Sequence, residues 1–239
     1  ENDESKLKKQ QQVEDEEEDL IPIDMFEEPE GFRPPPPPPT SETFKRNSKD
    51  IGIGEPSEIT VRLVSQHSLW AHKLWNAGVS LARYLDQNKN VLELGAAAGI
   101  PSLICSINGA KKVIMTDYPE KTLLDNMNHN CEMNVKENHN NKSIIVEGYQ
   151  WGYPVDKLFN HLENQQEKFD LIILADLVFN HTEHVHLLES CLKTLSKNGI
   201  VLTSFTHHIV KYADRDLKFF EIAKYPEFNF NIEQIYVEK

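Results

Sequence analysis

The period of the apolar positions changes from segment to segment along this chain. Ile59, Val61 and Leu63 alternate with polar neighbours, which predicts a short strand or hairpin arm. From Leu69 the spacing becomes helical: Leu74, Ala77, Gly78, Leu81 and Leu85 predict a helix as far as Asp86. A strand follows over 90–95, then a helix with Pro101 near its start, where a missing N–H costs nothing, and Gly109 at its end. A second strand is expected over 111–117. Next comes a helix over 119–134 that starts at Pro119 and carries Leu123, Leu124, Met127 and Cys131 on one face, followed by an Asn-rich loop over 138–142. Residues 143–147 read as a third strand. Phe169 to Ala175 is almost wholly apolar, the pattern of a parallel strand buried on both faces. A helix over 182–197 ended by Asn198-Gly199, a strand over 200–205, a helix over 214–225 halted before Pro226 and an alternating strand over 228–237 complete the series. Strands alternating with helices in this order predict an α/β fold, a doubly wound, mostly parallel, Rossmann-like sheet. Ligands of such sheets bind beyond the carboxyl ends of the strands.

The first 39 residues do not share this patterning. Of a net charge of −13, −9 falls in residues 1–33, a Gln-rich then Glu-rich stretch with few core-forming side chains. Such a stretch cannot bury enough apolar surface to offset its ordering entropy. Pro34 to Pro39 follow as a stiff polyproline II spacer. The expected organisation is therefore a disordered acidic and proline-rich tail over 1–39 and one α/β domain over 40–239. No run of about 20 apolar residues predicts a membrane span, and the first residues lack the basic-then-apolar pattern of a secretory signal. Cys105, Cys131 and Cys191 are odd in number, widely spaced and without a C-x-x-C, which reads as reduced thiols in a cytoplasmic protein. The acidic balance disfavours nucleic acid as a partner, and no apolar surface stripe stands out, which points to a monomer.

Candidate chemistry gathers at the predicted strand ends. Asn90-Val91-Leu92-Glu93-Leu94-Gly95-Ala96-Ala97-Ala98-Gly99 is an apolar strand with an acid two residues before a glycine and a small-residue loop after it. A second strand ends in Thr116-Asp117. Strand, small-residue loop, helix and acid-tipped strand in this order suit a nucleotide-type cofactor. The G-x-G-x-x-G spacing of a dinucleotide site is absent, since Ala97 stands where its middle glycine would be, and so is a G-x-x-x-x-G-K-[ST] phosphate loop. A cofactor with ribose and adenine but no phosphate fits better, and S-adenosylmethionine is such a cofactor, with Asp117 as acceptor for the ribose hydroxyls. Trp151, past the third strand, would either stack on adenine or pack on the core. Trp70 and Trp75 sit five apart on different helix faces, so one faces the core while the other is placed to cover the cofactor.

After the apolar strand come Ala175-Asp176-Leu177-Val178-Phe179-Asn180-His181. Asp176 there would orient an incoming amine, or else cap the next segment. Phe179 would wall the approach, and Asn180 and His181 are further candidates to hold the amine. His181, His184, His186, His207 and His208 are expected to be surface or loop histidines, because a metal site needs three or four convergent ligands.

These segments, with Leu74-Trp75-Asn76-Ala77-Gly78, Thr116-Asp117-Tyr118-Pro119, Trp151-Gly152 and the run Asp176 to His184, resemble the seven-strand S-adenosylmethionine methyltransferases of family 16. The likeness covers nearly all of the chain from Phe26 onward. It implies a class I methyltransferase fold with cofactor contacts at Trp70, Trp75, Glu93, Gly95, Ala96, Ala97, Asp117, Tyr118, Trp151 and Ala175. It implies that Asp176 and Phe179 carry the substrate-positioning role, beside Asn180 as a further catalytic candidate. It further implies methylation of the N-terminal glycine and adjacent lysine of translation elongation factor 1-alpha. A small-molecule N-methyltransferase acting on nicotinamide shares every cofactor residue, and a non-catalytic binding module on the same fold is a third reading. The family sheet ends in a hairpin whose last strand inserts beside the fifth, and the chain stops at Lys239 near the first arm of that hairpin. The expectation from this is a fragment lacking the last strand.

Overall fold

A computed structural model of the chain describes residues 38–46, 48, 51–52, 55–64, 89–135 and 143–235. Most of the predicted tail, the helix expected over 69–86 with Trp70 and Trp75, and the loop over 138–142 lie outside the described residues.

Two strands, β1 (Thr40–Lys45) and β2 (Glu58–Leu63), pair antiparallel. The alternation read from the sequence holds: Ile59, Val61 and Leu63 are buried while Glu58 and Thr60 are exposed. The other strands are β3 (Asn90–Leu94), β4 (Lys112–Asp117), β5 (Ile144–Gly148), β6 (Phe169–Ala175) and β7 (Leu195–Ser204). They form a wholly parallel sheet in the order β5-β4-β3-β6-β7. Between them run α1 (Ile100–Ile107), α2 (Lys121–Asn134), α3 (Asp156–Phe159) and α4 (His184–Thr194), with α5 (Ala213–Ala223) after β7.

Parallel pairing demands crossovers, and crossovers cover both faces of the sheet. Side chains alternate accordingly. Val91, Val113, Met115, Leu171 and Ile173 face a core shared with α1, while Leu92, Leu94, Ile114, Ile172 and Leu174 face Leu187, Leu188 and Phe219 of α4 and α5. This two-sided burial is why β3, β4 and β6 read as apolar runs and β2 as an alternation. Strand order reverses between β3 and β6. The carboxyl ends of both strands flank that switch point, where a crevice opens in sheets of this kind.

The outer edge of β2 is closed by side chains. Asn134 Oδ1 accepts from Thr60 N and its Nδ2 donates to Thr60 O. One turn earlier, Asn130 accepts from Arg62 N and donates to Arg62 O and Ala98 O. Asn126 adds a second bond to Arg62 O. Four helical residues rise about 6 Å and two strand residues about 6.6 Å, so carboxamides at i and i+4 match alternate strand residues.

The structure corrects two expectations. The helix expected to reach residue 197 stops at Thr194, because Leu195 takes extended backbone and opens β7. Asn198-Gly199 is not a helix stop; it lies in an irregularity where Phe169 pairs with Leu195 but Leu171 with Ile200. The strand expected over 228–237 does not form over its described part, 228–235. Asn229 has φ +53°, and Phe230 N bonds Ala223 O at 2.9 Å, so the chain folds back on the end of α5 and buries Phe228 there.

Candidate active site

All five parallel strands end at one edge of the sheet, and the loops after them meet there. The loop after β3 is built on left-handed backbone at alternate residues, with φ of +64° at Gly95, +50° at Ala97 and +76° at Gly99. Only glycine takes such angles freely, and sterics add a second reason here. A Cβ on Gly95 would lie 2.7 Å from Leu177 and 3.1 Å from Trp151, and one on Gly99 would collide with the end of Met115. Gly95 thus lets the loops after β3, β5 and β6 touch at the switch point.

Three of the loop's N–H groups are engaged within the protein. Ala96 N donates to Thr116 O at 2.9 Å, Ala97 N to Asp117 Oδ2 at 2.7 Å and Gly99 N to Ala96 O at 2.7 Å. A phosphate cradle needs such groups turned toward the ligand. A loop with these amides committed, and without a basic side chain, fits a cofactor that brings no phosphate.

Asp117 ends β4, is buried, and takes a second N–H, from Tyr118 at 2.7 Å. Its own carbonyl receives Tyr149 N at 2.8 Å, which fixes the start of the loop carrying Trp151. One carboxylate therefore joins the loops after β3 and β4, and its backbone joins that after β5. Trp151 is half-buried against Gly95, Ala175 is half-buried at the end of β6, and Tyr118 is exposed.

Glu93 sits beneath the loop, fully buried. Its Oε2 accepts from the backbone N–H and the hydroxyl of Ser102, in the first turn of α1. Gly99 supplies no side chain to cap that helix, and Pro101 has no N–H, so Glu93 does the capping from the strand. Oε1 meets no partner among the described residues. Burial pushes this carboxyl up to about 8, against the lowering effect of the Ser102 bonds and with a further push from Asp117.

On the other side of the switch point, Asp176 stands in left-handed backbone at φ +62° and is 3 % exposed. Its N–H bonds Ser204 O at 2.7 Å, its Oδ1 accepts from Thr206 N at 3.1 Å, and Thr206 Oγ1 lies 3.5 Å from Oδ2. Burial raises its pKa, opposed by Thr206 and His208. Its carboxylate thus reaches across to the loop after β7 and does not cap the segment that follows it. Phe179 and Asn180 are half-buried just beyond, with Asn180 Oδ1 accepting from Thr182 Oγ1 at 3.3 Å.

The expectation of surface or loop histidines holds for His186 and His207, which are exposed, and fails at His184. His184 is 2 % exposed and its Nε2 donates to Val178 O at 2.7 Å. Asp216, buried in the first turn of α5, joins His181 Nε2 at 2.6 Å and His207 Nδ1 at 2.7 Å. Burial would raise this carboxyl, but the two histidines hold it below the ordinary range. Thr206, Asp216 and Ser102 escaped the sequence reading. Thr206 was traceable from its place directly after the last core strand; Asp216 had no signal beyond a place in a helix's first turn.

Comparison with known proteins agrees with this geometry. Residues 57–225 match the model of a family described as lysine methyltransferase. The protein N-terminal and lysine N-methyltransferase of Debaryomyces hansenii is 43% identical over 227 residues, covering 91% of this chain and 86% of that protein. Its counterparts are 42% identical in Schizosaccharomyces pombe (90% and 85% covered) and 44% identical in Candida albicans (91% and 87% covered). The chain belongs to the lysine methyltransferase family, and S-adenosylmethionine is its methyl donor.

Proposed function

We propose that this chain methylates protein amines: the N-terminal glycine α-amine and the adjacent lysine of translation elongation factor 1-alpha, in the cytoplasm. The observation that carries the cofactor half of this reading is Asp117, a buried carboxylate at a strand end that also anchors the small-residue loop. Gly95, Ala96, Ala97, Asp117 and Trp151 would hold S-adenosylmethionine, which supplies an electrophilic methyl group on a sulfonium. The relatives' names as protein N-terminal and lysine N-methyltransferases support the amine half, as does the resemblance of the run from Asp176 to His184.

Methyl transfer to nitrogen is an in-line displacement, so the protein's task is to place the amine, exclude water and let the amine shed its proton. A lysine ammonium has an ordinary pKa of about 10.4 and an α-ammonium of about 8, and desolvation lowers both. Asp176, Phe179 and Asn180 form the rim at which an amine would be held, and Trp151 and Leu177 close the crevice at Gly95.

The test is intact-peptide mass spectrometry of elongation factor 1-alpha incubated with the chain and S-adenosylmethionine, with nicotinamide as a parallel substrate. Methyl groups on the N-terminal peptide are the expected result. Methylated nicotinamide with unmodified protein would keep the cofactor and move the function to small-molecule chemistry.

A further inference from the structure

Asp176 and Phe179 belong to one short segment, and a single side chain outside it meets both. His208 Nε2 lies 3.2 Å from Asp176 Oδ1. The His208 ring stands edge-on to Phe179, with centroids 5.2 Å apart and planes at 78°. The imidazole therefore packs one edge against the carboxylate and its body against the aromatic ring. The preceding residue does the same work at the far end of the segment: His207 bonds Asp216, and Asp216 bonds His181, next to Asn180. Two consecutive histidines of one loop thus secure both ends of residues 176–181, His208 directly and His207 through a carboxylate on α5. Thr206 adds the backbone bond that keeps the two loops in register.

We propose that His208 is a positioning residue for amine transfer, holding Asp176 and Phe179 in the arrangement that receives the substrate. The proposal rests on the protein-amine reading above. His208 stands on the loop after β7 and meets Asp176 and Phe179, on the substrate side of the switch point. Removing it should therefore disturb substrate handling and leave cofactor binding alone.

Steady-state kinetics on an N-terminal peptide of elongation factor 1-alpha tests this, with calorimetric titration of S-adenosylmethionine and thermal melts run on the same samples. His208→Ala should raise KM for the peptide about tenfold, about 1.4 kcal/mol of lost positioning, and lower kcat as well. Cofactor Kd and Tm should stay at wild-type values. His208→Gln, whose amide can still donate to Asp176, should restore most of the KM. Wild-type kinetics in His208→Ala would overturn the proposal, as would a loss of cofactor affinity and Tm in step with KM, or a glutamine variant as poor as alanine. A wild-type chain that leaves the peptide unmethylated overturns the protein-amine reading, and the proposal with it. Turnover by the wild type that His208→Ala matches overturns the proposal alone.

Discussion

The two sides of the switch point are built on different plans. At the ends of β3 and β4, the two site carboxylates bond mainly to backbone. Asp117 takes the N–H groups of Ala97 and Tyr118, and Glu93 takes that of Ser102 along with its hydroxyl. On the β6–β7 side, carboxylates also meet imidazoles brought in from distant sequence: His208 at Asp176, and His181 and His207 at Asp216. Backbone partners make a rigid socket. Imidazole partners are side chains and can be exchanged one residue at a time. Under the proposed function, the first plan suits the cofactor and the second the substrate.

If the division is real, it can be broken from either side. The largest effect should come from Asp176→Ala, which removes the group joining the two loops. Turnover should fall about a hundredfold, the scale of a substrate misplaced by about 1 Å, with cofactor Kd within about twofold of wild type. Equal losses in both would erase the distinction. Asp117→Ala should do the opposite, weakening S-adenosylmethionine binding by about 1.5–3 kcal/mol in calorimetry; unchanged affinity would remove Asp117 from the cofactor site. Glu93 gives a pH test. Its folded-state pKa of about 8 lies above the ordinary 4.5, so the folded chain keeps a proton that the unfolded chain gives up between those values. Stability should fall as pH rises through that window, and Glu93→Gln should flatten the slope in denaturant titrations. The smallest effect is at Asp216, whose pKa is lowered despite its burial. Its stabilising contribution is present above the carboxylate range and lost as pH falls through it. Asp216→Asn should therefore reduce the extra acid lability seen in melts below about pH 4 while leaving cofactor affinity intact.

The same contrast explains what the sequence disclosed. Glu93, Gly95 and Asp117 lie within 25 residues, and their spacing is dictated by one strand–loop–helix–strand unit, so a short pattern reports them. The apolar runs of β3, β4 and β6 reported two-sided burial in the same way. Asp176 and Phe179 were visible as a pair after a core strand, but their partners were not. Thr206 is 30 residues away and Asp216 a further 10, and only the parallel pairing of Ala175 with Ser204 brings the loop after β7 alongside. The end of α4 was misread because Asn198-Gly199 is equally at home in a strand irregularity and after a helix. The segment over 228–235 has the alternation of a strand, yet one left-handed residue, Asn229, turns it onto α5.

The asparagines on α2 have a consequence for the hairpin. A two-stranded sheet ordinarily leaves the outward amides of each strand to water, and an open strand edge invites a second chain. In β2 those amides, on Thr60 and Arg62, are held by Asn134 and Asn130. Their hydrogens should exchange with deuterium as slowly as those of an interior strand, and only as often as α2 lifts away. To solvent and to neighbouring molecules, β2 presents itself as the middle of a sheet.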